Sequence, residues 1–322
     1  MKKAAPSGRR GAAGDVAPHA KNRPYMEHSN KKLRFAIFGN EYQTKQPTTI
    51  LTILSYLTRH GAEVIIDRPY YDFIQQSHRI DTSVSGVFDG SYFDADYVIS
   101  MGGDGTFLKA ATRVGPKQTP IIGINMGRLG FLADVLPGEA TEALDAVFAG
   151  RFKTESHTAI MVETDGERII GCPYALNDIA VLKRDMASMI SIDTFINGEH
   201  LITYQADGLI VSTPTGSTAY SLSNGGPIIV PQTSTLCLTP VAPHSLNIRP
   251  IVLADDSVIR LNVESRSHNF LIAIDGRSEK LTEATSLTIR KAPFTVNIVK
   301  RDGCRYFASL REKMMWGVDK RK

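Results

Sequence analysis

The stretch with the clearest capacity for chemistry is Gly102-Gly103-Asp104-Gly105-Thr106, in which three glycines surround one carboxylate. An apolar run from Tyr97 to Ser100 precedes it, and Phe107 begins an apolar pattern with helical spacing, so we expect Thr106 to cap a helix. Backbone N–H groups at a helix N-terminus attract phosphate, and a nearby acid can accept a proton or bind a metal. The pattern predicts a phosphate-handling enzyme, although five residues alone leave a polar structural turn open.

A second polar pair, Asn177 and Asp178, interrupts the apolar run from Ala175 to Ala180. An asparagine can both donate to and accept from the edge of a base, and an aspartate can accept hydrogen bonds from a ribose diol. The pair therefore indicates a nucleoside-binding segment. An Asx turn at the end of a strand is the structural alternative.

A third segment begins at Asp207, whose apolar continuation leads into the hydroxyl-rich run Thr213–Ser221. This order is typical of a strand, a loop and a short helix from about Thr218. Such a loop suits a phosphate or a ribose, and a turn capped by Ser or Thr is the alternative.

Two common nucleotide motifs are absent from the sequence. There is no Gly-Lys-Ser/Thr of a Walker A loop, and the first predicted strand is followed by Gly39-Asn40-Glu41 instead of a G-x-G-x-x-G turn. The chain is therefore not a typical P-loop enzyme, and a dehydrogenase is disfavoured.

The charge of the 322-residue chain is unevenly distributed. Eight Lys or Arg against two acids give residues 1–32 a net charge of +6, and the total of +4 leaves −2 for the remainder. We expect the basic segment to be a disordered tail, unless translation starts at Met26. The remainder gives no compositional reason to expect a nucleic-acid partner.

The cysteines indicate the compartment. Cys172, Cys237 and Cys304 are far apart and have neither disulfide-framework nor metal-ligand spacing, which is typical of a reducing, cytoplasmic location. The sequence has neither an apolar leader nor a run of about 20 apolar residues, so we expect no membrane span.

The two halves of the chain have different patterns. Residues 33–150 alternate strands and helices, which predicts an α/β domain with a Rossmann-like parallel sheet that carries the Gly-Gly-Asp-Gly loop. Residues 151–302 have short alternating runs and an Asn197-Gly198 hairpin turn, which predict a mainly antiparallel, β-sandwich-like domain. We expect residues 303–322 to form a final helix and tail that can pack on the first domain.

The expected elements follow from these patterns. We predict strands at 33–38, 63–67, 97–100, 120–125, 189–195, 200–205, 258–264, 270–274, 286–290 and 295–299, and helices at 48–60, 70–76, 137–149 and 307–316. The helix boundaries rest on Pro137 at a start and on Gly61 and Gly150 just beyond two ends.

Taken together, the polar segments resemble those of the NAD kinase family. The resemblance is carried, in the family's order, by Gly102–Thr106, Gly123–Leu132, Leu176–Asp178, Asp207–Tyr220 and Pro243–Pro250. Diacylglycerol and sphingosine kinases share the first segment, whereas the fourth is much more particular to NAD kinases. The resemblance implies ATP-dependent phosphorylation of the adenosine-ribose 2′-hydroxyl of NAD to give NADP and ADP. It also implies a divalent cation, usually Mg²⁺, and a dimer or tetramer in which neighbouring subunits share the NAD site.

The resemblance also implies roles for individual residues. Asp104 is expected to be the proton acceptor, and Gly102, Gly103, Gly105 and Thr106 to form the phosphate loop. The expected NAD contacts are Asp104, Gly105, Lys109, Asn177, Asp178, Asp207, Thr218, Ala219, Tyr220, Ser221, Leu222 and Ser223. No metal ligands and no ATP-contacting residues can be assigned.

Two positions depart from the family pattern. Gln205 stands where many relatives have a basic or aromatic side chain, and Arg277 stands where glutamine is common. Either can alter the NAD contacts, although a solvated hairpin charge is the simpler interpretation of Arg277. A diacylglycerol-type lipid kinase and a nucleotide sensor without catalytic activity are the alternative functions.

Overall fold

The computed structural model describes residues 32–41, 47–78, 84–127, 130–185, 188–301 and 306–315. In the first half the elements are β1 (Arg34–Gly39), α1 (Pro47–Arg59), β2 (Glu63–Asp67), α2 (Arg68–His78), β3 (Gly86–Phe88), β4 (Tyr97–Gly102), α3 (Asp104–Val114), β5 (Ile121–Asn125) and α4 (Ala140–Phe148).

The second half is built mainly from strands. They are β6 (Phe152–Asp165), β7 (Tyr174–Ala175), β8 (Asp178–Lys183), β9 (Ile190–Ile196), β10 (Glu199–Ala206), β11 (Gly208–Ser212), β12 (Thr235–Val241), β13 (Ile251–Ala254), β14 (Ile259–Glu264), β15 (Asn269–Ile274), β16 (Arg277–Thr282) and β17 (Ser286–Arg301). The helices of this half are α5 (Tyr220–Ser223) and α6 (Tyr306–Met314), and a 3₁₀ turn spans Thr215–Thr218.

The five strands of the first half form a parallel sheet in the order β3-β2-β1-β4-β5. Their side chains are buried on both faces because α1 and α4 pack on one face with Ile37 and Ile99, whereas α3 packs on the other with Phe38 and Val98. The order reverses between β1 and β4, the point at which a crevice is expected at the carboxyl ends of the strands. This confirms the predicted Rossmann-like arrangement.

The second half is a β-sandwich, as predicted. A six-stranded antiparallel sheet has the order β13-β12-β11-β8-β15-β16. Its inner side chains, such as Val181 and Val211, share one apolar core with Ile192 and Leu261 of the facing strands β9 and β14. The predicted Asn197-Gly198 turn joins β9 to β10 with φ of 52° and 86°, as a two-residue hairpin requires.

The strand β17 connects the two halves into a continuous sheet. It pairs antiparallel with β6 and β14, and parallel with β5 through Ile298 and Ile121. The prediction of two separate strands at 286–290 and 295–299 is wrong. A register shift between Lys291 and Thr295 lets the strand continue past Pro293, whose missing N–H excludes it from a regular ladder.

The start of α3 also differs from the prediction. The helix begins at Asp104 with Gly103 as its N-cap, so Thr106 lies within the first turn and does not cap it. The Thr106 side chain instead covers Gly102, where a β-carbon would lie 2.2 Å from its Oγ1. An acid in the first turn is favoured by the helix dipole, which explains the earlier start.

The helices at both ends of the fold are close to their predicted positions. The segment predicted as 137–149 is a 3₁₀ turn at Pro137–Glu139 followed by α4, and α6 matches the predicted final helix except that Trp316 lies outside the described residues. The α6 side chain Lys313 lies 4.1 Å above the Phe131 ring. In the part of the chain that the structure describes, no helix combines the length and the apolar character needed to cross a bilayer.

Candidate active site

Asp104 lies at the carboxyl end of β4, beside the crevice between β1 and β4. The loop after β5 folds back over it: Met126 N–H donates to the Gly102 carbonyl, and Asn125 Nδ2 donates to the Ala133 carbonyl. These bonds hold the end of β4 and the returning loop together, so that Asp104 is enclosed by backbone from a second segment.

Three consecutive backbone N–H groups of that loop bind the Asp104 carboxylate. Phe131 N lies 2.8 Å from Oδ2, while Leu132 N and Ala133 N lie 2.9 and 3.1 Å from Oδ1. The loop approaches so closely that a β-carbon on Gly130 would lie 2.0 Å from Oδ1. Glycine is therefore needed at position 130 to leave room for the carboxylate.

This arrangement leaves one acceptor position on the carboxylate. Oδ1 already accepts two hydrogen bonds, whereas Oδ2 accepts one, and each carboxylate oxygen can accept about two. The remaining lone pair of Oδ2 can take a hydrogen bond, and then a proton, from a hydroxyl group. The oriented carboxylate at the start of α3 is thus suited to act as a general base.

The Asn177-Asp178 pair lies where β7 leads into β8, and the loop that follows β11 is bonded to it. Thr213 N–H donates to the Asn177 carbonyl, and Thr213 Oγ1 donates to the Leu176 carbonyl at 2.5 Å. A β-carbon on Gly216 would lie 2.0 Å from the Asn177 carbonyl oxygen, so the two segments are in direct contact. The Asn177-Asp178 segment and the Thr213–Ser221 loop thus form one unit, which we call the two nucleoside-binding segments.

Asp178 is buried and has an unusual proton affinity. Burial and the negative charge of Asp275 raise its pKa to about 7, and the Tyr220 N–H that donates to this carboxylate opposes the rise. Burial also raises the pKa of Asp275, against the effect of the backbone N–H groups that it accepts. A raised pKa of about 7 means that the charge of Asp178 depends on pH near neutrality.

The predicted segment Thr218–Ser223 forms the end of the 3₁₀ turn and the short helix α5. Ser217 Oγ anchors it by donating to the Pro214 carbonyl at 2.7 Å, and Ser221 Oγ lies 2.8 Å from Thr239 Oγ1. Tyr220 keeps 39% of its surface exposed, so its ring remains available to a ligand. This anchored turn is followed directly by five of the expected NAD contacts, which are Ala219, Tyr220, Ser221, Leu222 and Ser223.

A pocket lies between the Asp104 loop and the 3₁₀ turn. Its empty volume is about 550 Å³, which includes its opening to solvent, and Phe131 and Leu132 line it opposite Thr215 and Thr218. His157, which is only 4% exposed, lies at its wall with Nδ1 2.8 Å from Thr215 Oγ1. The pocket thus lies between the backbone that binds Asp104 and the segment Thr213–Ser221, which the sequence predicts to bind substrate.

Two predicted NAD contacts, Lys109 and Asp207, are paired with charged side chains of the protein itself. Lys109 Nζ is bonded to Glu41 and Asp67 at 2.9 and 3.0 Å, near the carboxyl ends of β1 and β2. Asp207 precedes β11 and pairs with Lys183 at 2.7 Å, whereas Thr213 follows β11. The strand β11 separates Asp207 from Thr213 by about 20 Å. The structure does not bring Asp207 to the Asp104 side of its own chain.

The two departures from the family pattern have defined partners. Gln205 Nε2 donates to Ser191 Oγ at 2.6 Å on the outer strands β9 and β10. Arg277 donates to the carbonyls of Cys172 and Tyr174 at 3.1 and 2.8 Å. The interpretation of Arg277 as a solvated charge is therefore wrong, because its guanidinium binds backbone next to the Asn177 segment.

Metal ligands can be examined within the described ranges. There, no three His, Cys, Asp or Glu side chains approach closely enough to hold a metal ion. Asp104 nevertheless supplies carboxylate oxygen, the donor that Mg²⁺ prefers, and a Mg²⁺ that arrives on nucleotide phosphates needs only one or two such ligands. The donor set fits a cation carried by the substrate.

Several contributors to the site cannot be identified from residue types. They are the backbone N–H groups of Phe131–Ala133, the Asp275 carboxylate and the His157 imidazole. Backbone donors have no residue signature. Asp275-Gly276 has the composition of a tight turn, which predicts the turn but not its partner.

Comparisons with known proteins show which family this chain is similar to. The model of the ATP-NAD kinase N-terminal domain matches residues 35–152, and that of the ATP-NAD kinase C-terminal domain matches residues 176–301. The NAD kinase of Bacteroides fragilis is 56% identical over 90% of this chain and 100% of its own length. The NAD kinase of Porphyromonas gingivalis is 43% identical over 88% of this chain and 98% of its own.

Two solved structures share the fold. Yeast NADH kinase complexed with NADH superposes with a TM-score of 0.79 at 23% identity, covering 89% of both chains. An NAD kinase from Archaeoglobus fulgidus in complex with ATP superposes with a TM-score of 0.69 at 26% identity, covering 88% of this chain and 99% of the other. The likeness extends over both halves of the described fold.

Proposed function

The chain belongs to the NAD kinase family, and from this premise we propose that it transfers a phosphoryl group from ATP to the adenosine-ribose 2′-hydroxyl of NAD, yielding NADP and ADP. The reaction is that of a phosphotransferase with an alcohol group as acceptor. The observation that carries the proposal is the Asp104 carboxylate, oriented by three N–H groups at the carboxyl edge of the parallel sheet with one lone pair free of those bonds.

Asp104 is the proton acceptor in this proposal. A ribose hydroxyl is a weak nucleophile at neutral pH, so a carboxylate within hydrogen-bond reach assists as its proton leaves. The hydroxyl oxygen forms a bond to the γ-phosphorus while the bond from that phosphorus to the β–γ bridging oxygen breaks. The proton passes to Asp104 Oδ2, and ADP leaves with the electron pair of the broken bond.

The phosphates of ATP are assigned to the start of α3. Gly102 and Gly103 precede this eleven-residue helix, and Gly105 and Thr106 lie in its first turn. A β-carbon on Gly103 or Gly105 would meet nothing within 4 Å, so phosphate oxygens can approach the backbone there. Phosphoryl transfer depends mainly on such positioning and on positive charge.

NAD is assigned to the unit formed by the two nucleoside-binding segments. We infer that Asn177 and Asp178 bind a base edge and a ribose diol, and that Thr218 to Ser223 line the nicotinamide-nucleotide side. The pocket between Phe131 and Thr218 supports this assignment because it opens beside the backbone that binds Asp104. Substrate bound in this pocket lies close to both Asp104 and the start of α3, to which the ATP phosphates are assigned.

A homo-oligomer accounts for the remaining predicted contact. Asp207 lies about 16 Å from Ser212 at the far end of β11, where Ser212 pairs with Asp178, so Asp207 and Asp178 are too far apart to bind the same ribose in one chain. We infer that Asp207 reaches NAD bound to a neighbouring copy, in a dimer or a tetramer. We infer that Lys109 also contacts NAD at the carboxyl edge of the parallel sheet. Its ion pairs with Glu41 and Asp67 restrict how far its ammonium group can extend toward the substrate.

A divalent cation completes the proposal. Magnesium bound to the ATP phosphates would supply positive charge to the phosphoryl group, and it would be held mainly by those phosphates because the remaining acceptor position of Asp104 is assigned to the ribose hydroxyl. The cytoplasmic location, with neither a nucleic-acid nor a membrane partner, stays a prediction from composition and cysteine spacing.

A coupled assay of NADP formation with ATP and Mg²⁺ tests the function. We expect the wild type to turn over, and Asp104→Asn to lose at least about 100-fold in kcat, because it keeps the side-chain volume but not the base. Comparable rates in the two proteins would refute the role of Asp104.

The same assay separates the alternatives. A diacylglycerol-type kinase would phosphorylate a diacylglycerol and ignore NAD. A nucleotide sensor would bind NAD in calorimetry and release no ADP. Either result with the wild type would overturn the proposed function.

A further inference from the structure

The hairpin turn between β15 and β16 is bonded to the Asn177-Asp178 segment. Asp275 Oδ2 accepts the Leu176 N–H at 2.8 Å, and Oδ1 accepts those of Asn177 and Asp178 at 2.8 and 3.2 Å. The Asp275 N–H donates in return to the Asp178 carbonyl at 3.0 Å. Asp275 and Gly276 have φ of 46° and 78°, the positive values that a two-residue hairpin turn requires.

Arg277 extends the same contact toward the start of the segment. Its guanidinium donates to the Cys172 carbonyl at 3.1 Å and to the Tyr174 carbonyl at 2.8 Å. One turn of the hairpin therefore binds five of the seven residues from Cys172 to Asp178 through backbone atoms. Hydrogen bonds that involve a charged partner are the stronger kind, so this segment is rigidly held.

The segment from Cys172 to Asp178 is in turn bonded to the loop that follows β11. Its carbonyls accept the Thr213 N–H and hydroxyl, and the Asp178 carboxylate accepts the Tyr220 N–H. A displacement of Asn177 would therefore also move the loop that leads to Thr218. The hairpin turn contacts one segment but determines the position of both.

From this geometry we propose that Asp275 and Arg277 are positioning residues for the reaction. They set where Asn177 and Asp178 meet the dinucleotide, and Asp275 also sets the charge environment of Asp178. The inference rests on the proposed function and deepens it, since neither residue is assigned to touch the substrate.

The charged groups around Asp178 make the proposal testable by pH. Among the described residues, those that act on its carboxylate are Asp275, which repels its charge, and the Tyr220 N–H, which stabilises it; Arg277 acts on Asp275. Removing the Asp275 charge lowers the pKa of Asp178, because a like charge disfavours ionisation. A merely structural role for Asp275 would not shift this titration.

The test compares Asp275→Asn with Glu279→Gln, a matched control on the same hairpin. Glu279 also accepts two backbone N–H groups through its carboxylate, from Ile170 and Gly171 at 2.8 Å each, but these lie outside the Asn177 segment. We expect Asp275→Asn to raise the KM for NAD about tenfold or more with kcat changed less than about threefold, as loss of ground-state binding requires. Glu279→Gln should retain the wild-type KM.

The pH profile of kcat/KM for NAD supplies the second readout. In the wild type we expect an acid limb near pH 7, and in Asp275→Asn a limb at lower pH. Arg277→Gln, which keeps a donor but loses the charge that strengthens its bonds to the Cys172 and Tyr174 carbonyls, should also raise the KM for NAD.

Three results would overturn the inference. One is a wild-type KM and pH profile for Asp275→Asn in an active enzyme, and another is an equal KM change in Glu279→Gln. If Asp275→Asn does not fold, an unchanged KM in Arg277→Gln is the third. An inactive wild type would instead refute the proposed function. Calorimetric titration of NAD into wild type and Asp275→Asn would then decide the positioning role, which equal affinities would exclude.

Discussion

The amide nitrogen of Phe131 lies 2.8 Å from Oδ2 of Asp104, so the proposed base is oriented by backbone 27 residues further along the chain. Leu132 and Ala133 complete the contact through Oδ1. The orientation of Asp104 therefore depends on the loop after β5 as well as on its own helix. Changes in that loop should reach the chemistry without altering Asp104 itself.

The first prediction concerns Gly130→Ala. The new β-carbon would lie 2.0 Å from Asp104 Oδ1, so either the carboxylate or the loop must move. A displacement of about 1 Å can cost about 100-fold in rate, and we expect a loss of that order in kcat. Steady-state NADP formation measures it.

Gly138→Ala is the matched control for that variant. A β-carbon at Gly138 would meet nothing within 4 Å, so its kcat should equal that of the wild type. A Gly130→Ala enzyme with unaltered kcat would show that the loop does not orient the base.

The second prediction concerns the stability of Asp178→Asn as a function of pH. The pKa of Asp178 is raised from 3.8 to about 7 in the folded state, so its contribution to stability is fully present below pH 3.8 and is lost as the pH rises through 7. Asparagine cannot ionise and avoids this loss. Relative to the wild type, Asp178→Asn should therefore gain on the order of 1–2 kcal/mol between pH 5.5 and pH 8.

Urea denaturation at the two pH values measures the difference. An Asp178→Asn protein whose free energy of unfolding keeps the same offset from the wild type at both pH values would contradict the raised pKa. The same variant should bind NAD more weakly at pH 8, because the wild-type carboxylate is ionised there and accepts ribose hydroxyls.

The third prediction concerns the ion pair between Lys300 of β17 and Asp134, which follows the Asp104 loop. Their charged atoms are 2.5 Å apart, and both side chains are only 12% exposed. Lys300→Met would leave a mostly buried carboxylate without this partner, so we expect the free energy of unfolding to fall by about 2 kcal/mol or more.

Arg290→Met provides the comparison on the same strand. Its ion pair with Glu163 has the same 2.5 Å separation, but the side chains are 43% and 50% exposed. Solvent screening should make the loss much smaller than that caused by Lys300→Met. Equal losses in the two variants, measured by urea denaturation, would show that burial does not determine the strength of these pairs.

The parallel half of the fold could be predicted from the sequence because its signals are local. Its strands are short buried runs, and Gly61 and Gly150 adopt the positive φ of 69° and 67° that helix ends favour. The strand β6 escaped prediction because its first residues, from Phe152 to Ser156, are mostly exposed and show no alternation. Its position follows from pairing with β17, which lies more than a hundred residues away.

The candidate site was predicted only as far as side-chain chemistry allows. Asp104 and Asp178 stand out by residue type among glycines and apolar neighbours. Their partners are backbone N–H groups of Phe131 and Tyr220, which have no residue signature, and the register between distant segments follows from tertiary packing. Arg277 shows the same limit, since its carbonyl partners in Cys172 and Tyr174 are identified only when the hairpin is folded.

The long strand β17 has a consequence for synthesis on the ribosome. Until residue 298 has emerged, β5 lacks its outer neighbour and the Rossmann-like sheet exposes an unpaired edge that other nascent chains can join. The amino-terminal half is thus translated early, but its parallel sheet gains its neighbouring strand only after β17 has been synthesised. Rare codons or pauses shortly before that strand would lengthen the period in which the unfinished sheet is vulnerable to aggregation.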